Sequence, residues 1–113
     1  MGIEFYITRA ELWADNDDAQ ITSDEWLSYI NSDNELSRYI KNGDYHALWS
    51  GPSLYDEPWL DWSAGNIHTK WPDTYLYRKM LRIAKCLNGQ VTHDDGTIYS
   101  DESQGEYEPS SKL

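Results

Sequence analysis

The sequence predicts an α+β fold in which two main helices pack on one face of a single antiparallel sheet. Three observations predict it: short segments of alternating or aromatic residues, two capped segments with one apolar side, and turn residues between neighbouring strand segments. The 113 residues fit one domain. We assign that domain to residues 1–99 and expect an acidic, flexible tail over residues 100–113, where polar residues predominate.

The first strand and the first helix have clear local signals. Residues 3–8 alternate apolar and polar side chains, which predicts a half-buried strand. Thr22 and Glu25 have the spacing of a capping box, in which each side chain bonds the backbone N–H of the other residue. Ile21 and Trp26 flank the cap at the spacing of a hydrophobic staple. The expected inward side of this helix comprises Trp26, Leu27 and Ile30.

The middle of the chain predicts one short helical segment and three strands. Apolar residues within 34–40 indicate a short turn or helix, and residues 45–49 read as a strand. Residues 59–62 and 67–71 are rich in aromatic and β-branched residues, which predicts two strands joined by a turn over 64–66. We expect these two strands to lie in the centre of the sheet.

The longest helix is expected to begin near Asp73, a good N-cap residue, and to end at the Asn-Gly pair 88–89. Residues 90–93 and 97–99 then predict a small hairpin across the Asp-Asp-Gly turn 94–96. The apolar stripe of the helix comprises Leu76, Met80, Ile83 and Leu87.

The net charge of −11 argues against nucleic acid or an anionic membrane as a direct ligand, because phosphate groups are bound by clustered Lys and Arg. The charge is unevenly distributed: residues 1–35 carry −8, residues 36–72 carry −1 and residues 89–113 carry −5. Residues 73–88 carry +3, which we interpret as a solvated face of the long helix. Its cations are Arg78, Lys79, Arg82 and Lys85.

Known catalytic and metal-binding patterns do not match. The acidic loop 15–18 lacks the oxygen ligand, glycine and glutamate that an EF-hand would place downstream. His46, His68 and His93 are far apart in sequence, and Cys86 has no second cysteine, so Cys86 is expected to be a small buried residue. We therefore predict no catalytic residue, no metal site and no cofactor.

Compartment signals favour the cytoplasm. One cysteine cannot form an intramolecular disulfide, which suits a reducing compartment. The first residues lack the basic and apolar regions of a signal peptide, and no apolar run is long enough for a membrane span. We expect a cytoplasmic protein with no membrane partner.

The six Trp residues allow two interpretations. They can form the core and its rim, or some can lie off the core as anchors of a protein interface or a sugar-binding platform. Trp59 and Trp62 are three positions apart, so a regular strand places them on opposite faces.

Short segments across residues 3–99 carry a family resemblance. They are Trp13-Ala14-Asp15, Ile21-Thr22 with Glu25-Trp26, Gly65-Asn66-Ile67, Pro72-Asp73, Lys79-Met80 with Ile83-Ala84, and Asp94-Asp95-Gly96 with Tyr99. This combination resembles a group of small, acidic, single-domain bacterial proteins. In size and charge the chain is also similar to the immunity proteins of bacterial toxin systems, including contact-dependent growth inhibition. That resemblance implies a protein that binds and blocks a basic cognate toxin domain, often a nuclease, and it transfers no functional residue.

Charge and the missing catalytic patterns together predict a non-catalytic protein that occludes a basic protein partner, with no direct contact to nucleic acid. The alternative is a small-molecule or carbohydrate-binding module that uses the Trp-rich sheet. The expected partner-binding residues are acidic side chains with two aromatic anchors. They are Asp15, Asp17, Asp18, Asp44, Tyr55, Asp56, Glu57, Trp59 and Asp61.

Overall fold

A computed structural model describes residues 4–99, which form an antiparallel sheet of seven strands and two α-helices. The α+β fold with one antiparallel sheet is confirmed, whereas the tail expected over residues 100–113 lies outside the described residues. The strands are β1 (Glu4–Thr8), β2 (Leu36–Arg38), β3 (Ala47–Trp49), β4 (Trp59–Ser63), β5 (Asn66–Lys70), β6 (Gln90–His93) and β7 (Ile98–Tyr99). The helices are α1 (Ser23–Ser32) and α2 (Thr74–Cys86).

The strands lie in the order β2-β3-β4-β5-β1-β6-β7, so β5 is central and β4 lies beside it. The turn between these two strands contains only Ala64 and Gly65, with φ angles of 51° and 85°. Positive φ at both central residues is the type I′ pattern that matches the twist of antiparallel strands. This tight turn sets the register of the hairpin, in which Asp61 pairs with His68.

Both helices begin at the predicted caps. The Thr22 hydroxyl accepts a hydrogen bond from the Glu25 N–H, and the Glu25 carboxylate accepts one from the Thr22 N–H, so the capping box is present. Asp73 caps α2 by accepting from the Leu76 N–H at 2.8 Å. Beyond α2, Asn88 has a φ of 57°, the left-handed conformation that commonly ends a helix.

The core fills the space between the two helices and one face of the sheet. Trp26 and Ile30 of α1 are buried there, and Trp62 packs against its edge, which removes large apolar areas from water. The sheet and α2 contribute Phe5, Ile7, Leu60, Ile67, Val91, Leu76, Met80 and Ile83.

The opposite face of the sheet carries polar and aromatic side chains, and neither described helix covers it. Tyr6, His68 and Asp61 face this side because residues alternate along their strands. Trp59 also lies on this open face, whereas Trp62 lies on the core side. The prediction that these two tryptophans lie on opposite faces is confirmed.

The helical interpretation of residues 34–40 was wrong. This segment contains β2, whose Leu36 pairs with Trp49 of β3, and a short 3-10 helix (Ile40–Asn42) follows. The apolar residues that indicated a helical face do not share a buried side, since Leu36 is buried but Ile40 is 67% exposed. Pairing with β3, a contact distant in sequence, overrides the local pattern.

Two side chains of α2 also differ from expectation. Lys79 is not on the solvated face: it is only 5% exposed, and its Nζ lies 2.7 Å from Asp33 Oδ2 and 2.8 Å from Glu35 Oε1. Cys86 is exposed rather than buried. Its position is about 100° around the helix from Leu87, which places it outside the apolar stripe.

Candidate binding site

Six aromatic rings form a continuous row across the open face, which we call the open-face stripe. Tyr6 stacks on Trp13 with a centroid distance of 4.2 Å, and Trp59 stacks on His46 at 5.2 Å. His68 connects the two pairs, with its ring 5.8 Å from Trp59 and 6.2 Å from Tyr6. In order, the stripe comprises Trp13, Tyr6, His68, Trp59, His46 and Tyr39.

Carboxylates flank the two histidines of the open-face stripe. Asp61 Oδ2 lies 3.4 Å from His46 Nδ1, and Glu4 Oε2 lies 3.5 Å from His68 Nδ1. The second distance is too long for a good hydrogen bond, so the buried Nδ1 of His68 has no hydrogen-bond partner among the described residues. Burial lowers the pKa of His68, although Asp61 and Glu4 oppose the shift. His68 is therefore neutral at neutral pH.

The ionisation of Tyr6 is suppressed in the same row. Burial, followed by the negative charges of Glu4 and Asp94, raises the pKa of Tyr6 to about 12. Tyr6 therefore keeps its proton at any physiological pH and cannot supply a phenolate base there. The open-face stripe thus offers flat aromatic surface together with the imidazole rings of His46 and His68.

A groove of about 900 Å³ lies beside Trp59 of the stripe, where β4 begins and β5 ends. Three aromatic side chains line it: Tyr55, Trp59 and Trp71. Asp56 and Glu57 also line it, and both are exposed. The groove thus combines aromatic surface with two negative charges.

The floor of the groove contains two buried residues, Thr69 of β5 and Leu76 of α2, each 1% exposed. The Thr69 hydroxyl oxygen has no hydrogen-bond partner among the described residues. A buried hydroxyl without a partner is unfavourable, and this one lies out of reach of solvent because Thr69 pairs in register with the core residue Phe5. Lys70 lines the groove as well, and it pairs in register with Glu4 of β1.

One wall of the groove is the loop before β4, and Asp73 holds it. Besides capping α2, the Asp73 carboxylate accepts from the Ser53 hydroxyl at 2.8 Å and from the Leu54 N–H at 2.5 Å. The Tyr55 hydroxyl donates to the Trp71 carbonyl, which ties the loop to the junction between β5 and α2. Asp73 is fully buried, so its carboxylate holds this wall from the interior of the protein.

The structure brings four of the predicted partner-binding residues together in this groove. Tyr55, Asp56, Glu57 and Trp59 line it, and Asp61 follows two positions along β4 on the same face. Asp44 is exposed in the turn before β3 and does not line the groove.

The remaining predicted residues lie in the loop between β1 and α1. Asp15, Asp17 and Asp18 are exposed, whereas Asn16 between them is buried. The Asn16 side chain donates to the Ala64 carbonyl at 2.8 Å, so the loop rests on the turn end of the β4–β5 hairpin. The groove lies at the other end of β4, roughly 13 Å away along the strand. The nine residues therefore form separate groups.

Sequence reasoning missed His46, His68, Thr69 and Trp71 as parts of this region. A signal was present for His68: the two-residue turn at 64–65 fixes a register in which His68 faces the predicted site residue Asp61. The roles of Thr69 and Trp71 depend on the loop before β4, which no local pattern connects to β5.

The described residues hold no group of three or more His, Cys, Asp or Glu side chains that is suitable for a metal ion. Neither described helix has the length and apolar composition needed to span a bilayer. No family model, curated protein or solved structure matches this chain.

Proposed function

We propose that this chain is a non-catalytic binding protein that occludes a basic protein partner, as toxin-neutralising immunity proteins do in the bacterial cytoplasm. The observation that carries the proposal is a set of exposed carboxylates that form no ion pair within residues 4–99. An acidic surface that is not neutralised internally attracts and orients a basic partner. From the predicted site these carboxylates are Asp15, Asp17, Asp18, Asp44, Asp56 and Glu57.

Other carboxylates of the chain already have internal partners. Glu25 pairs with Arg9 at 2.7 Å, and both Asp33 and Glu35 contact Lys79. These pairs hold the helices in place. Within residues 4–99, the exposed carboxylates without an ion pair lie mainly in the loop before α1 and around the groove, with Asp24 and Asp44 outside both areas. The separation of structural from available carboxylates supports a binding role for the latter.

Aromatic anchors accompany the available charge at the groove. Tyr55 and Trp59 are half-buried beside Asp56 and Glu57. Tyrosine and tryptophan surrounded by polar groups are typical of binding hot spots, since each buries a large area at low entropic cost. In the proposed mechanism, carboxylates pair with the Lys and Arg residues that a toxin such as a nuclease needs for phosphate contacts. The rings of Tyr55 and Trp59 pack against the partner and exclude water from the interface.

The test is binding and protection against the protein encoded by the gene directly upstream. We expect a stable complex by calorimetry, weaker at high ionic strength because exposed charge pairs are screened. We also expect cells that produce both proteins to survive where cells that produce the upstream protein alone do not. Absence of both binding and protection would contradict the proposed function.

A carbohydrate or small-molecule module is the second candidate, because Tyr55, Trp59 and Trp71 line a groove of about 900 Å³, the size of many ligand pockets. Titration of neutral sugars with Trp fluorescence as readout separates the two. Saturable binding of a sugar, with no binding of the upstream protein, would favour the module.

A further inference from the structure

We propose that the groove between residues 55–59 and 69–71 is a guanidinium site, which takes one arginine side chain. That the arginine comes from a basic partner rests on the proposed function. The preference of the groove for a guanidinium group is argued from its lining residues alone and holds whatever molecule carries that group.

Charge at the groove favours a cation. Asp56 and Glu57 are exposed, line the groove and form no ion pair within the described part of the chain. Lys70 is the cation that lines the same groove, and its register partner Glu4 lies beside it on the open face. The two carboxylates outnumber this lysine, so an anionic ligand is disfavoured and a cationic one is attracted.

Aromatic surface favours arginine among the biological cations. Tyr55, Trp59 and Trp71 line the groove, and tryptophan is the best aromatic partner for a cation. A guanidinium is planar and weakly hydrated, so it stacks on a ring while its five N–H donors remain available to carboxylates. An ammonium group is compact and strongly hydrated, and it makes poorer use of flat surface beside paired carboxylates.

The wall of the groove is preorganised by hydrogen bonds within the chain. Because Asp73 holds the adjacent loop through Ser53 and Leu54, the wall is formed before the ligand arrives.

The experiment uses N-acetyl-arginine amide as the probe, titrated into the full chain and followed by Trp fluorescence and by backbone amide NMR shifts. We expect saturable binding with a Kd of about 1–10 mM, typical of a single side chain, and shifts confined to residues 55–59 and 69–71. The matched probe is N-acetyl-citrulline amide, which has the same shape without the charge. Equal binding of the two probes, no saturation, or shifts elsewhere would overturn the proposal.

Variants with intact folds give a second readout. Asp56→Asn and Glu57→Gln each remove one exposed charge, and each should weaken probe binding about fivefold or more. Asp24→Asn removes an equally exposed charge in the first turn of α1, outside the groove, and should leave probe binding unchanged. If all three variants weaken probe binding equally, the probe is attracted by the overall negative charge, and the proposal of a specific site in the groove is contradicted.

Failure of this inference is distinguishable from failure of the proposed function. If the probe binds but the upstream protein does not, the guanidinium site is supported and the proposed partner is contradicted. If the upstream protein binds but the probe does not, the guanidinium site is contradicted and the proposed function is supported.

Discussion

Asp73 links the start of α2 to the wall of the groove. One carboxylate oxygen accepts from the Leu76 N–H, and the other accepts from the Ser53 hydroxyl and the Leu54 N–H. The sequence predicted the first role, because aspartate before a helix is a common N-cap. The second role was not predictable, since it joins residues about twenty positions apart that share no pattern.

We predict that Asp73→Ala lowers the free energy of unfolding by about 2–4 kcal/mol, because it removes a cap and leaves buried donors without a partner. Asp24→Ala, an exposed first-turn substitution on α1, should cost less than about 1 kcal/mol. Urea denaturation of the two variants measures the difference. A loss for Asp73→Ala no larger than that for Asp24→Ala would contradict the role of Asp73 as an anchor.

Among the helices, strands and turns, those that depend on contacts between sequence neighbours were predicted from the sequence. The capping box of α1, the stripe of α2 and the turn between β4 and β5 depend on neighbours within a few residues, so the sequence predicted them. β2 has only three residues and exists through its pairing with β3. The burial of Lys79 likewise depends on Asp33 and Glu35, more than forty positions away, so no helical pattern on α2 could show it.

The contact of Lys79 with Asp33 and Glu35 joins α2 to the end of α1 and to the residue before β2. Burial opposes ionisation of Asp33, but hydrogen bonds from Lys79 and Tyr29 outweigh it and lower its pKa. Hydrogen bonds from Lys79 and Trp49 lower the pKa of Glu35. Because the folded pKa values are depressed, this stabilisation is present above the ordinary values of 3.8 and 4.5 and is lost as pH falls through the depressed values.

We predict that Lys79→Met lowers the free energy of unfolding at pH 7 by about 3 kcal/mol, since it leaves a largely buried carboxylate without its cation. The variant should also lose less stability than the wild type between about pH 4.5 and pH 2, because its carboxylates are no longer held ionised. Arg82→Met, at an exposed position of the same helix, should show neither change. Urea denaturation curves across this pH range measure the free energy of unfolding of each variant. An equal loss of stability with falling pH in Lys79→Met and in the wild type would contradict the stabilising role of the ion pair.

At the scale of the whole molecule, the two faces of the sheet have different roles. One face packs against both helices and holds the core, while the other carries the open-face stripe. The groove lies at the end of the sheet where β4 begins and β5 ends, beside Trp59 of the stripe and Leu76 of α2. Composition predicted an acidic binding protein, and four of the predicted residues, Tyr55, Asp56, Glu57 and Trp59, line one groove. The loop with Asp15, Asp17 and Asp18 lies at the far end of β4, so it forms a second acidic area.

The central claim is that the acidic, aromatic groove binds a basic protein partner. The most direct measurement is the calorimetric affinity of the upstream protein for the wild type, for Asp56→Asn, for Glu57→Gln and for the control Asp24→Asn. We predict that each groove variant weakens the complex about tenfold and reduces its salt dependence, while the control stays within about twofold of the wild type. Equal affinities for the groove variants and the wild type, or no complex with the wild type, would contradict the claim.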